Sequence, residues 1–197
     1  MHKIFGTVKD KKERVLNGVT VSLMNEYFED VATTFTNENG KYILEAESRH
    51  YPYLIIVRDY AEKFLEYWCQ NISLNKDIEI NCAIDKLEIY GLHCFKIKGA
   101  SPALTVYFRP MSLEKQLNGE IDIVPRLKKE QMTVHINAES SKVFVLNEVK
   151  EYSQDMNMTA YLMQVSLPEK YYPVNENFID IRINDEHGNY GQASMYF

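Results

Sequence analysis

Short runs in which apolar and polar residues alternate recur along the whole chain, with turn residues between them and, with one exception, no helical stripe. In VTVSLM, for instance, Val19, Val21 and Leu23 alternate with Thr20, Ser22 and Met24. A period of two puts successive side chains on opposite faces of a strand, so such runs build half-buried strands. Ile4–Val8, VATTFT, KYILEA, Ile72–Leu74 and Ile78–Ile84 continue the pattern in the first half, while Tyr53–Val57 is too continuously apolar for a half-exposed strand and reads as a buried one. LEIYGLHCFKI, ALTVYF, EIDIV, MTVHIN, KVFVLNEV, TAYLMQVSL, FIDIRIN and QASMYF continue it in the second. One stretch, DYAEKFLEYWCQ, spaces Ala61, Phe64, Leu65 and Trp68 at i, i+3, i+4 and i+7. It fits either one or two helical turns or a twisted strand.

The pattern predicts an all-β protein of two tandem antiparallel β-sandwiches, residues 1–84 and 85–197. The join near Asp85-Lys86 has no flexible linker, which suggests two units held at a semi-rigid angle. At 197 residues with 45% hydrophobic side chains, the chain has enough apolar surface for a real core. Residues 1–84 carry 10 basic and 13 acidic side chains and residues 85–197 carry 12 and 15, so each half is three charges negative. An evenly acidic surface disfavours charge-driven binding of nucleic acid or anionic membrane. No run reaches the ~20 apolar residues that span a bilayer, and the start, MHKIFGTVKDKKERV, has no signal-peptide pattern. Cys69, Cys82 and Cys94 are odd in number and lack CxxC spacing. They read as small buried hydrophobes in a reducing compartment, hence a cytoplasmic expectation, with a surface or virion assembly as the alternative.

The order IFGTVKD, NGVTVSL, TTFTNENGKYIL, YLIIVRDY, ISLNKDIEINCAI resembles the carboxypeptidase regulatory-like family. The matching pieces are Ile4-x-Gly6-x-Val8, Gly18-Val19-x-Val21-x-Leu23, and Thr36-x-x-x-Gly40-x-Tyr42. The resemblance covers roughly residues 3–84 and implies a prealbumin-like sandwich of about seven strands, while saying little of function. Asn37 stands where that family commonly has an aspartate. Some relatives, the Cna B-type domains, form a Lys–Asn isopeptide bond. Lys9 and Asn81 offer its two groups, but the segment that carries the assisting acid is missing. The second half resembles a bacterial immunoglobulin-like sandwich, with IDIRINDEHGNYGQASMYF as its closing hairpin.

Catalytic handles are lacking. HxH, HExxH, CxxC, G-x-S-x-G, a Walker A loop and G-x-G-x-x-G are all absent, so no catalytic residue, metal ligand or cofactor is assigned. Adjacent His93 and Cys94 point to opposite faces of a strand and cannot share a metal, and His135 is expected to face solvent. Glu29-Asp30 and Asp185-Glu186 read as solvated turn acids. RPMSLEKQLNGE, with Arg109, reads as a loop at the end of the second sandwich. Asn37-Glu38-Asn39-Gly40 suits a hairpin turn, since Asn and Gly accept positive φ; a calcium site there would have only Glu38 for charge.

What remains is aromatic. Tyr51, Tyr53, Tyr60, Phe64, Tyr67 and Trp68 crowd one part of the first half beside His50 and Arg58. Such side chains either fill a core and an interface or form a binding platform, for which Tyr60, Tyr67 and Trp68 are the candidates. The expected function is accordingly a non-catalytic accessory, binding or structural module that presents a surface to a glycan or protein partner. The alternatives are a component of a virion or cell-surface assembly and an enzyme using a cleft between the halves.

Overall fold

The structure, a computed structural model, describes residues 1–99, 102–153 and 156–197. The alternating runs of the first half become β1 (His2–Asp10), β2 (Thr20–Met24), β3 (Asp30–Phe35), β4 (Lys41–Ala46), β5 (His50–Val57), β6 (Tyr67–Ser73), β7 (Ile78–Glu79) and β8 (Cys82–Ile84). Those of the second half become β9 (Leu87–Phe95), β10 (Ala103–Ser112), β11 (Met132–Ile136), β12 (Glu139–Ser141), β13 (Val143–Ser153), β14 (Met156–Ser166), β15 (Phe178–Asn184) and β16 (Tyr190–Tyr196). The protein is all-β, with a single short α-helix, α1 (Leu113–Leu117), among the described residues.

The strands assemble into three sheets. A four-stranded sheet has the order β4-β1-β7, with β8 also on β1, and another has the order β13-β14-β10-β9. The third runs β12-β11-β15-β16-β6-β5-β2-β3 and is continuous through both halves. Its seam is a parallel pairing of β16 with β6, Ala193 opposite Trp68, Ser194 opposite Cys69 and Met195 opposite Gln70. Alternation then sorts the side chains of this long sheet. Val21, Leu23, Leu54, Ile56 and Cys69 point to one face and pack with Ile4, Val8, Tyr42 and Leu44 of the first small sheet. Ile55, Trp68, Ala193, Met195 and Ile181 point to the other and pack with Leu104, Val106, Phe108 and Met163 of the second. The two small sheets therefore cover opposite faces of one long sheet at opposite ends.

Local chemistry explains the sequence motifs. Gly6 is required because a Cβ there would lie 1.9 Å from the Ile80 carbonyl oxygen, which also accepts the Tyr42 hydroxyl at 2.8 Å. Thr36 Oγ1 donates to the Leu16 carbonyl at 2.6 Å and accepts the Val19 amide at 2.9 Å, joining two turns. Asn37-Glu38-Asn39-Gly40 does not close a hairpin. It carries the chain from β3 in the long sheet to β4 in the first small sheet. Asn37 Oδ1 accepts the amides of Asn39 and Lys41, and Gly40, at φ +68, donates to the Asn37 carbonyl. An asparagine accepts those two amides as an aspartate would, which accounts for the departure at this position.

Two further expectations are corrected, and the choice left open for DYAEKFLEYWCQ falls on the strand. Glu120–Val124 (EIDIV) is not a strand: Asp122 Oδ1 accepts the Val124 amide, bending the segment, and Ile121 is 96% exposed. Asp59–Phe64 forms a turn around the Asp59 carbonyl and the rest of DYAEKFLEYWCQ enters β6, so no helix forms. In RPMSLEKQLNGE, Arg109 belongs to β10 and lies 5.2 Å from the Tyr90 ring, while Ser112 caps α1 by accepting the Lys115 amide.

Candidate functional site

The three side chains picked out as a platform face different ways. Tyr67 and Trp68 are neighbours on β6 and so point to opposite faces. Tyr67 is 1% exposed and its hydroxyl donates to Ser194 Oγ at 2.9 Å. Trp68 is 8% exposed, edge-on to Tyr53 and Tyr90 at 5.8 and 5.7 Å, and its Nε1 donates to Glu88 Oε1 at 3.0 Å. Tyr60, in the turn before β6, is 49% exposed, and its hydroxyl is pushed up to about 12 by partial burial and the nearby Glu88 and Glu66 carboxyls. Phe28 extends the row by stacking on Tyr53 at 4.7 Å. Much of this aromatic cluster is thus core and seam, with Tyr60 and Phe28 at its open rim.

The stagger of the sheets leaves a polar groove on the opposite face of the long sheet. Its floor is the face of β15 and β16 that carries Asp180, Arg182, Gln192 and Ser194, and its wall is the β7–β8 edge of the first small sheet. Two adjoining cavities of about 430 and 380 Å³ share Glu79, Asn81, Arg182 and Gln192. A third, of about 550 Å³, continues past Phe178 to Asn137 and Tyr172. Buried hydrogen bonds fix the floor. Asp180 Oδ1 accepts Gln192 Nε2 at 2.6 Å and Ser194 Oγ at 2.9 Å, while Oδ2 accepts Arg182 Nε at 2.8 Å. Gln192 Oε1 accepts the Ala83 amide and the Tyr190 hydroxyl, tying floor to wall. Burial pushes the Tyr190 hydroxyl well above its ordinary range, so it stays a neutral donor.

Other side chains fall into place around this groove. His135 does not simply face solvent: it is half-buried, lines the groove, and its buried Nδ1 has no hydrogen-bond partner. Lys9 and Asn81 line the same cavity but bond separately, Lys9 Nζ to Glu13 Oε2 at 2.8 Å and Asn81 Oδ1 to the Thr7 amide at 2.8 Å. Asp185 is not a solvated turn acid. It is 8% exposed, and its carboxylate accepts the amides of His187 and Asn189 and the Asn189 side chain. Cys69 and Cys82 are buried and Cys94 half-buried, all unpaired. Among the described residues, no group of three or more His, Cys, Asp or Glu side chains could hold a metal ion, and no helix is long and apolar enough to cross a membrane.

Reading the sequence alone did not single out Glu79, Asn81, Arg182 or Gln192 as one site. The only local signal was Asp180 and Arg182 two residues apart in FIDIRIN, hence on one face of a strand. The convergence of β7–β8 on β15–β16 is a property of topology and leaves no motif.

No protein-family model matches the chain, and no curated protein matches it. Among solved structures it is similar to the major pilin subunit of Bacillus cereus, with TM-score 0.34 and 11% identity, over 98% of this chain and 67% of that one. It is also similar to DUF3823 family proteins from Bacteroides ovatus (TM-score 0.33, 8% identity, 100% and 99% of the two chains) and Parabacteroides merdae (0.31, 11%, 98% and 98%). At these values no function transfers from any of them.

Proposed function

We propose that the protein is a non-catalytic binding module of two fused β-sandwiches, the first of the carboxypeptidase regulatory-like kind and the second immunoglobulin-like, with the polar groove as its binding surface. The observation that carries this reading is the groove's composition. Amide, carboxylate, guanidinium and phenol groups from both halves line it, and a buried hydrogen-bond network holds its floor. In the two adjoining cavities Lys9 pairs with Glu13 and Arg182 with Asp180, so among the described residues there Glu79 is the carboxylate without an ion pair. Such a surface suits a neutral polyhydroxylated ligand, whose hydroxyls both donate and accept, better than a phosphate or sulfate. A glycan is therefore the favoured partner class, with a polar protein segment as the other. Glu88, the carboxyl that burial lifts to about 7, is sealed beneath Trp68 on the other face and is not placed to act on a groove ligand.

A glycan array probed with the whole chain tests the reading. Binding to neutral glycans that weakens at least ~10-fold in Arg182→Ala, with unchanged folding, supports it. Binding that is indifferent to Arg182 and Asn81 substitutions sinks the groove as the site. A second reading, a component of a surface or virion assembly, is favoured by β13, an eleven-residue strand at the end of its sheet's strand order. Concentration-dependent assembly in analytical ultracentrifugation, suppressed by Val149→Pro, is the outcome that reading requires.

A further inference from the structure

The crossing of β9 over β6 places two carboxyl groups together at the joint between the halves. Glu88, the second residue of β9, is 1% exposed. Its Oε1 accepts the Trp68 indole N–H at 3.0 Å, and its Oε2 accepts the Glu66 amide at 3.4 Å. The Glu66 side chain is half-buried beside it. Immediately next to them the Leu65 amide donates to the Asp85 carbonyl at 2.8 Å, another bond between the halves.

Among the described residues, no cation pairs with these two acids. From the turn before β6, Tyr60 is the titratable neighbour, and Lys63 is engaged with Asp59. From β6 comes Trp68, which is uncharged. On β10, Met111 stands opposite Glu88, and Arg109 lies on the Tyr90 ring with Nη1 on Met158 Sδ. On the segment leading into β9, Lys86 is held by Glu114, and Asp85 by Lys11 and the Tyr190 amide. Among the described residues neither Glu66 nor Glu88 forms an ion pair.

We propose that Glu66 and Glu88 form a proton-operated latch between the two halves, closed while the pair holds a proton and loosened when both carboxyls are ionised. With one proton on the pair, Glu88 sits neutral under Trp68 and the indole bond costs little. With none, two negative charges meet at a largely buried joint, where Glu88 accepts, among the described residues, from the Trp68 indole and the Glu66 amide. Burial first, and the Glu66 charge second, lift Glu88 to about 7, and burial lifts Glu66 as well. The charge on Glu88 therefore changes in the range a cell spans. The sign follows from linkage. The closed state binds the proton more tightly than the opened one, so opening increases about tenfold per pH unit from the ordinary carboxyl range up to about 7, and levels off above it. The joint lies on the Trp68 face of the long sheet, away from the groove.

Trp68 is the chain's only tryptophan and reports on the latch directly. Its emission between pH 5 and 9 is expected to show one transition near 7 that is absent in Glu88→Gln and moves to lower pH in Glu66→Gln. A flat wild-type profile overturns the proposal, and so does a transition that survives Glu88→Gln. If Glu88→Gln does not fold, Glu66→Gln decides, since a midpoint that fails to fall removes the coupling. Hydrogen exchange of the whole chain, corrected for intrinsic rate, tests the mechanical half. Protection of the Leu65 amide and the β16–β6 amides is expected to drop at least ~10-fold from pH 5 to 7. Equal protection at both values rejects the latch even if the carboxyls titrate.

Discussion

The Tyr67 hydroxyl on β6 donates to Ser194 Oγ on β16 at 2.9 Å, and Ser194 Oγ donates in turn to Asp180 Oδ1 at 2.9 Å. A tyrosine of the first half thus reaches a carboxylate of the second through one serine, on the same face as the groove floor. Asp180 also takes Gln192 and Arg182, so it is the acceptor for three side chains. Asp180→Ala strands those donors in a site that is 8% exposed, and we expect a loss of about 3 kcal/mol. Tyr67→Phe removes one bond and keeps the ring, at about 1 kcal/mol. Urea unfolding of the two variants checks the order, and equal losses would dissolve the network account.

Two glycines are expected to resist alanine for different reasons. At Gly40 the backbone is at φ +68, and an added Cβ would lie 2.7 Å from the Val8 carbonyl oxygen and 2.9 Å from Val15 Cβ. Gly40→Ala therefore combines strain with a clash, and about 2 kcal/mol or more is expected. At Gly6 the φ is unremarkable, but the Cβ would lie 1.9 Å from the Ile80 carbonyl. Since β1 must then part from the β7–β8 edge, Gly6→Ala is expected to be the worse of the two and to disturb the groove wall. Thermal melts rank them.

These glycines mark where the sequence was informative. Gly6, Thr36, Gly40 and Tyr42 each serve a contact made inside the first half, and the motif they form predicts a sandwich from local needs. The alternation of FIDIRIN and QASMYF likewise announced strands with one apolar face. The parallel seam between β16 and β6 was illegible, because Ala193 and Trp68 meet by topology and any apolar pair would serve. The groove was hidden for the same reason. Its wall and floor come from stretches about a hundred residues apart, and the polar face of β15 reads in sequence like any solvated face. Tyr67 and Trp68 looked alike in sequence, and only the pleat assigns one to each core.

Stability is expected to peak on the acid side of neutral. Burial works against the Asp10 carboxylate, but hydrogen bonds from the Arg14 side chain and the Arg14 and Lys12 amides outweigh it and leave the carboxyl below its ordinary range. A lowered acid stabilises the fold above its unfolded pKa, and that contribution disappears as pH falls below about 4. Glu88 acts oppositely. Its folded value of about 7 lies above the unfolded one, so its contribution is complete below the ordinary carboxyl range and is lost as pH rises to about 7. The melting temperature should therefore be highest near pH 5, and Glu88→Gln should flatten the neutral side while leaving the acid side intact. A wild-type maximum at pH 8 would contradict the assignment.

We propose that residues 1–84 and 85–197 are two structural units by sequence that unfold as one. Cutting between them would unpair β6 from β16 and bare Ile55 and Trp68, whose burial lies in the second core. An unpaired central strand beside an apolar face invites edge pairing, and burying a side chain the size of tryptophan contributes about 2–3 kcal/mol. The fragment 1–84 is expected to dimerise or aggregate at micromolar concentration, and the whole chain to give one calorimetric transition whose van 't Hoff and calorimetric enthalpies agree. A monomeric, cooperatively folded fragment, or two separate transitions in the whole chain, would show that the seam adds little. Glu88→Gln sharpens the comparison, because it removes the charge at the joint without touching β16. If the seam governs, the variant keeps its single transition and merely shifts it.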